Sequence, residues 1–166
     1  MGNTTILKGE NQTLSTGSIL TAIQTAAAGS AGAAIRVKRL EISQSGSTTL
    51  AMIRGDIATR DTAGTLTVTS LAPTSIRPVA GGVSAIAGNT APAGGVARSG
   101  ITSTADSGGT YTSIFPFAFA NTAGYLYKPA PDEEIWFAAS TLFVVRFLAA
   151  PATLTGWTFT LEISED

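Results

Sequence analysis

Trp157-Thr158-Phe159-Thr160-Leu161-Glu162-Ile163 alternates large apolar with polar side chains without a break. In an extended chain successive side chains point to opposite faces, so this is the pattern of a strand with one buried face. Working back toward Tyr111, short apolar runs follow one another, separated by proline, glycine and asparagine. Residues 142–148 are apolar on both phases except for Arg146. Residues 134–137 and Tyr125-Leu126-Tyr127 are shorter runs, split by Lys128-Pro129-Ala130-Pro131. Residues 114–120 carry Phe115, Phe117 and Phe119 on one face, and Pro116 demotes that strand to an edge or a bulge. Asn121-Thr122-Ala123-Gly124 and the stretch between Pro151 and Gly156 read as turns.

Toward the N-terminus the core begins at Ile35. Ile35 and Val37 share one phase while Leu40 and Ile42 take the other. Either a β-bulge near Lys38-Arg39 resets the phase, or the strand is covered on both sides. Gln44-Ser45-Gly46-Ser47 reads as a turn. A strand over 48–57 follows, with Leu50, Met52 and Arg54 on one phase, then a turn over 58–64 and a Thr-rich strand over 65–71. Residues 78–110, rich in Gly, Ala, Ser and Thr, read as a long loop. Residues 1–34 stand apart as an N-terminal arm, with a short strand near residues 12–16. Its one sizeable apolar cluster, Ile19, Leu20 and Ile23, has a spacing that fits a helical turn. That arm is either a tail with one docked element or a reach toward a neighbouring subunit. The expectation is an all-β chain: an arm over 1–34, then an antiparallel, jelly-roll-like β-sandwich over 35–166 with about eight strands.

Composition narrows the chemistry. The 166 residues suit a single domain. There is no cysteine, so disulfides and thiolate metal sites are excluded, and no histidine, so Ser-His and Cys-His catalysis is too. Ten basic residues against 11 acidic ones leave a net charge of −1, without the basic excess of a nucleic-acid binder. Only 13% of residues are charged, so the polar surface is mostly hydroxyl and amide, a surface suited to lateral contacts. No apolar run approaches the ~20 residues of a membrane span. Met1-Gly2-Asn3-Thr4-Thr5 lacks the basic start and apolar core of a secretory signal, so the cytoplasm of the cell that makes the chain is the expected compartment.

Several residues invite a functional reading. Arg54-Gly55-Asp56 is an adhesive-type tripeptide, but it falls in a predicted strand rather than at a loop tip. Asp132-Glu133-Glu134 reads as a solvated turn capping a strand, without the ligand pattern of a calcium loop. Arg146, inside the most apolar strand, is expected to snorkel to the rim or to pair with a carboxylate of the same or a neighbouring chain, an ion pair at or near an interface being favoured. Tyr111, Tyr125, Tyr127 and Trp136 fall outside the clean alternation, as aromatics of a core, a subunit interface or a sugar-binding surface do, core packing being the commonest of the three. The candidate contact residues are Ile19, Leu20, Ile23, Tyr125, Tyr127, Trp136, Leu142, Val144 and Arg146. No catalytic, metal or cofactor residue is assigned, and no enzyme activity is expected.

Residues 34–49, Ala34-Ile35-Arg36-Val37-Lys38-Arg39-Leu40-Glu41-Ile42-Ser43-Gln44-Ser45-Gly46-Ser47-Thr48-Thr49, resemble the opening of a group of tailed-bacteriophage structural proteins. Pro129-Ala130-Pro131-Asp132-Glu133-Glu134-Ile135, Phe147-Leu148-Ala149-Ala150-Pro151-Ala152 and the closing strand to Glu162-Ile163 resemble it in the same order. The resemblance spans residues 34–163 and is patchy between 72 and 110. It implies a non-enzymatic virion protein that decorates or cements the capsid exterior. Such a protein binds as a trimer and clamps adjacent major capsid subunits, with no nucleic acid, membrane or small-molecule substrate. The rival reading is a receptor- or glycan-binding domain of a tail or head fibre. A strand apolar on both faces, such as residues 142–148, would suit a trimer seam, and loss of residues 1–33 would spare the fold.

Overall fold

The computed structural model describes residues 3–14, 19–24, 35–61, 65–66, 69–71, 74–77, 97–99, 106–107, 109–138 and 141–165. Among them there is no helix. The strands are β1 (Asn3–Gln12), β2 (Ile19–Gln24), β3 (Ile35–Gln44), β4 (Met52–Arg60), β5 (Thr65–Leu66), β6 (Thr69–Leu71), β7 (Thr74–Arg77), β8 (Ala97–Ser99), β9 (Asp106–Ser107), β10 (Tyr111–Ala120), β11 (Tyr125–Tyr127), β12 (Ile135–Phe137), β13 (Leu142–Phe147) and β14 (Trp157–Glu165). Every pairing among them is antiparallel. One six-stranded sheet runs β11-β3-β14-β1-β7, with β12 beside β11 on the same edge of β3; a second runs β10-β4-β13-β2-β8-β6, and β5 pairs with β9 in a separate two-stranded sheet.

The two six-stranded sheets pack as a sandwich. Trp157, Phe159, Leu161 and Ile163 of β14 are at most 1% exposed, and the intervening Thr158, Thr160 and Glu162 face outward. They meet Phe143, Val145 and Phe147 of β13 and Ile53 and Ile57 of β4 in one apolar cluster. Burying each such side chain contributes about 1.5–3 kcal/mol. An aromatic seam ties the sheets together. Phe117 stacks on Tyr125 at 4.5 Å, Phe147 lies 4.9 Å from Trp157, and Phe137 lies 4.5 Å from Phe143.

Two phase breaks in the sequence are bulges. Opposite β14, Glu162 pairs with Arg39 and Ile163 with Val37, so Lys38 is the inserted residue. The insertion lets Ile35, Val37, Leu40 and Ile42 all face inward, each at most 2% exposed. On β10, Ser113 pairs with Ala58 and Phe115 with Ile57, leaving Ile114 as the extra residue beside Pro116. Among the described residues β10 pairs only with β4, so Pro116 sits on an edge strand, where a missing N–H costs no ladder bond.

The end where the chain passes from β3 to β4 is held by one amide. Asn121 is 3% exposed. Its backbone N–H donates to the Ala51 carbonyl at 3.0 Å, and its Oδ1 accepts from the Ala51 N–H at 2.9 Å. Its Nδ2 donates to Gln44 Oε1, Ser47 Oγ and the Thr49 carbonyl at 3.0–3.1 Å. Gln44 in turn donates to the Thr153 and Thr155 carbonyls. Three loops are thus tied at one point, and every polar atom buried there has a partner.

Three expectations are corrected. Residues 58–60 continue β4 rather than turning. Residues 19–24 are a strand, not a helical turn, because β13 and β8 flank them and supply the hydrogen bonds a lone turn lacks. The described part of residues 1–34 does not hang free: β1 lies between β14 and β7 in one sheet, and β2 lies between β13 and β8 in the other. Leu14 and Leu20, each 1% exposed, join the core. The long stretch 78–110 falls mostly outside the described residues; within it β8 pairs with β2 and β6, and β9 pairs with β5.

Deleting residues 1–33 removes a strand from the interior of each sheet. That loss is comparable to the whole stability of a domain, about 5–15 kcal/mol. The truncated chain is expected to show no cooperative thermal transition by near-ultraviolet circular dichroism. A sharp native-like transition would mean that β1 and β2 are dispensable.

Candidate functional site

Strand β13 sets what the protein can offer a partner. It lies between β4 and β2, and Phe143, Val144, Val145 and Phe147 are all fully buried. Phe143, Val145 and Phe147 face the sandwich core. Val144 faces outward, where it packs with Ala58, Tyr111 and Leu142. The inward face of β13 and Val144 are therefore covered within one chain, and only Leu142 and Arg146 keep partial exposure on the outward face, which leaves little free surface for the expected trimer seam along this strand.

Arg146 pairs inside the chain rather than across an interface. It stands opposite Asp56 in the β13-β4 ladder. Its Nε donates to Asp56 Oδ1 at 2.8 Å and its Nη2 to Oδ2 at 3.1 Å, a bidentate pair with the Asp56 side chain 2% exposed. The Tyr111 ring covers the Arg146 guanidinium at 3.9 Å, with Arg60 at 5.9 Å from the same ring. The Ile114 bulge makes this possible, because it shifts Tyr111 to the outward phase. The same geometry disposes of the adhesive tripeptide. Asp56 is buried, and a Cβ at Gly55 would come within 2.5 Å of the Phe117 ring and 2.7 Å of the Arg146 carbonyl.

The other predicted contact residues divide. Leu20 and Tyr127 belong to the core, and Leu142 and Tyr125 are half-buried. Ile19 and Ile23 sit in β2, but their side chains lie outside the described residues. Burial pushes the Tyr125 and Tyr127 hydroxyls above the usual tyrosine value, and the two rings' proximity adds to the shift at Tyr125. Among the candidates whose side chains are described, Trp136 alone is well exposed, at 55%.

Trp136 is also the best-positioned. It pairs with Arg36 across the β12-β3 edge, and the Arg36 guanidinium lies 3.7 Å over its ring. Behind it Glu134, its side chain 5% exposed, accepts two bonds from Lys38 Nζ at 2.8 and 2.9 Å and lies 3.9 Å from Arg36. Glu134 is thus a nearly buried ion-pair partner rather than part of a solvated turn, while Asp132 and Glu133 are exposed as expected. Leu126 on the adjoining β11 is exposed on the same outer face. A second apolar surface lies at the Asn121 end of the other sheet, where Leu50, Met52 and Leu148 are each more than half exposed. Leu148 is fixed there by its N–H to the Arg54 carbonyl at 2.9 Å. Among the described residues no group of three or more carboxylates could hold a metal.

Removing Arg146 leaves Asp56 buried and uncompensated. Arg146→Met is expected to cost about 3–5 kcal/mol in urea unfolding. Adding Asp56→Asn to that variant is expected to recover part of the loss, because no buried charge then remains. Strictly additive costs would show that the two side chains do not act as a pair.

Comparison with protein-family models, with characterised proteins and with solved structures finds no match to this chain.

Proposed function

We propose that the chain is a non-enzymatic structural protein of a phage virion, made in the host cytoplasm and placed on the capsid exterior. There it cements adjacent major capsid subunits as a homotrimer. The observation that carries this reading is the pair of exposed apolar surfaces on a rigid all-β frame. One is the β3 edge that carries Trp136 opposite Arg36 and, further along, Leu126 opposite Glu41; the other is Leu50, Met52 and Leu148. Large side chains of this kind are usually buried, and clusters of them at a surface mark contact sites. Trp and Arg together are the residue types that dominate interface energies.

A cement protein must hold two things at once, and two separate surfaces allow that. In this reading one surface meets further copies of the chain and the other meets the capsid. The trimer seam falls on these exposed residues and not on β13. Repetition on a lattice then multiplies modest contacts through effective concentration. The resemblance read from the sequence over residues 34–163, patchy between 72 and 110, points to the same assignment.

The test combines light scattering with capsid binding. The free protein is expected to be trimeric, to co-sediment with capsids of the phage that encodes it, and to raise their thermal transition. Met52→Asp with Leu148→Asp, both at exposed positions, is expected to weaken one of these associations at least tenfold (about 1.4 kcal/mol) while sparing the fold. Binding to host cells with no effect on capsid stability would replace the cement reading with a fibre domain.

A further inference from the structure

At the end of the sandwich opposite Asn121, the second sheet finishes in an open cleft of about 480 Å³. Four threonines line it: Thr59 and Thr112, which pair across β4 and β10, and Thr110 and Thr141 from the segments beyond the strand ends. Arg60, Asp61 and Leu142 complete the wall. We propose that this cleft binds a neutral carbohydrate, a short stretch of glycan presented at a surface.

The donor set argues for that class. Arg60 contributes positive charge and Asp61 negative charge, so the cleft favours neither an anion nor a cation. Each threonine hydroxyl both donates and accepts, as each sugar hydroxyl does. The volume lies within the range of about 300–1,000 Å³ found for small-molecule clefts.

The wall is also fixed in place. The Asp61 N–H donates to the Thr110 carbonyl, and Asp61 Oδ1 accepts from the Thr110 N–H, both at 3.1 Å. Arg60, 4% exposed, donates from Nη1 to the Asp61 carbonyl at 2.9 Å. Gly109 packs against its guanidinium so closely that a Cβ there would overlap it. The Ile114 bulge sets the register that brings Thr112 opposite Thr59 at the cleft. Bulges are used in this way to re-aim side chains beside binding sites. Loops and strand ends at one end of a sandwich, mounted on a rigid frame, are where such proteins bind ligands.

The inference stands apart from the capsid reading, because its site shares no residue with either apolar surface. It is tested by amide NMR titration of the full chain with maltotriose, cellobiose and chitobiose, with sodium phosphate as a control. Saturable millimolar shifts at Asp61, Thr110 and Thr112 with at least one sugar are expected. Thr112→Val, at an exposed position, should weaken that binding about fivefold, the worth of one hydrogen bond, with the thermal midpoint unchanged. No saturable shift with any of the three sugars would overturn the proposal. So would shifts with phosphate alone, which would make the cleft an anion site.

Discussion

The burial of β13 on both faces constrains everything else in the protein. A central strand whose inward side chains are Phe143, Val145 and Phe147, and whose outward side includes Val144, has to be covered twice. The aromatic side chains of the facing sheet cover it from within, Phe137 meeting Phe143 and Trp157 meeting Phe147. On the outward side Val144 packs with Ala58, Tyr111 and Leu142. Arg146 is tolerated in this strand because Asp56 stands directly opposite and Tyr111 lies over its guanidinium. A charge in such a place is costly unless it is paired and hydrogen-bonded.

That arrangement shifts the search for a partner surface away from the most apolar strand. Apolar character in a sequence marks burial, but not whether the covering surface comes from the same chain or another. Here the chain covers its own central strand and leaves large side chains exposed elsewhere, on the β12 edge and at the β3-to-β4 crossing. Those positions are held by hydrogen bonds and ion pairs rather than by the core: Glu134 with Lys38 behind Trp136, and Asn121 behind the loop that carries Leu50. A rigidly held apolar side chain loses little entropy on binding, which favours contact.

Much of the sandwich was legible in the sequence because period-2 alternation reports directly on one-sided burial. Trp157 to Ile163 is the plainest case. The broken phase at Ile35–Ile42 announced a bulge or a doubly covered strand, and the structure has the bulge. Pro116 announced an edge or a bulge, and β10 has both. The N-terminal strands were not legible. β1 is largely polar, and Ile19, Leu20 and Ile23 fit a helix turn as well as a strand, so only their ladder partners decide the matter. The partner of Arg146 was equally hidden, since Asp56 lies 90 residues away in the chain. The cleft residues are threonines and one Asp-Arg pair on separate segments, a set with no local signature.

The most direct measurement is amide hydrogen exchange of Phe143, Val144, Val145 and Arg146 at two widely separated protein concentrations. If β13 is buried within each chain, these amides exchange only through global unfolding, and their protection does not depend on concentration. Protection that rises with concentration would show that association covers the strand, and would return the subunit seam to β13.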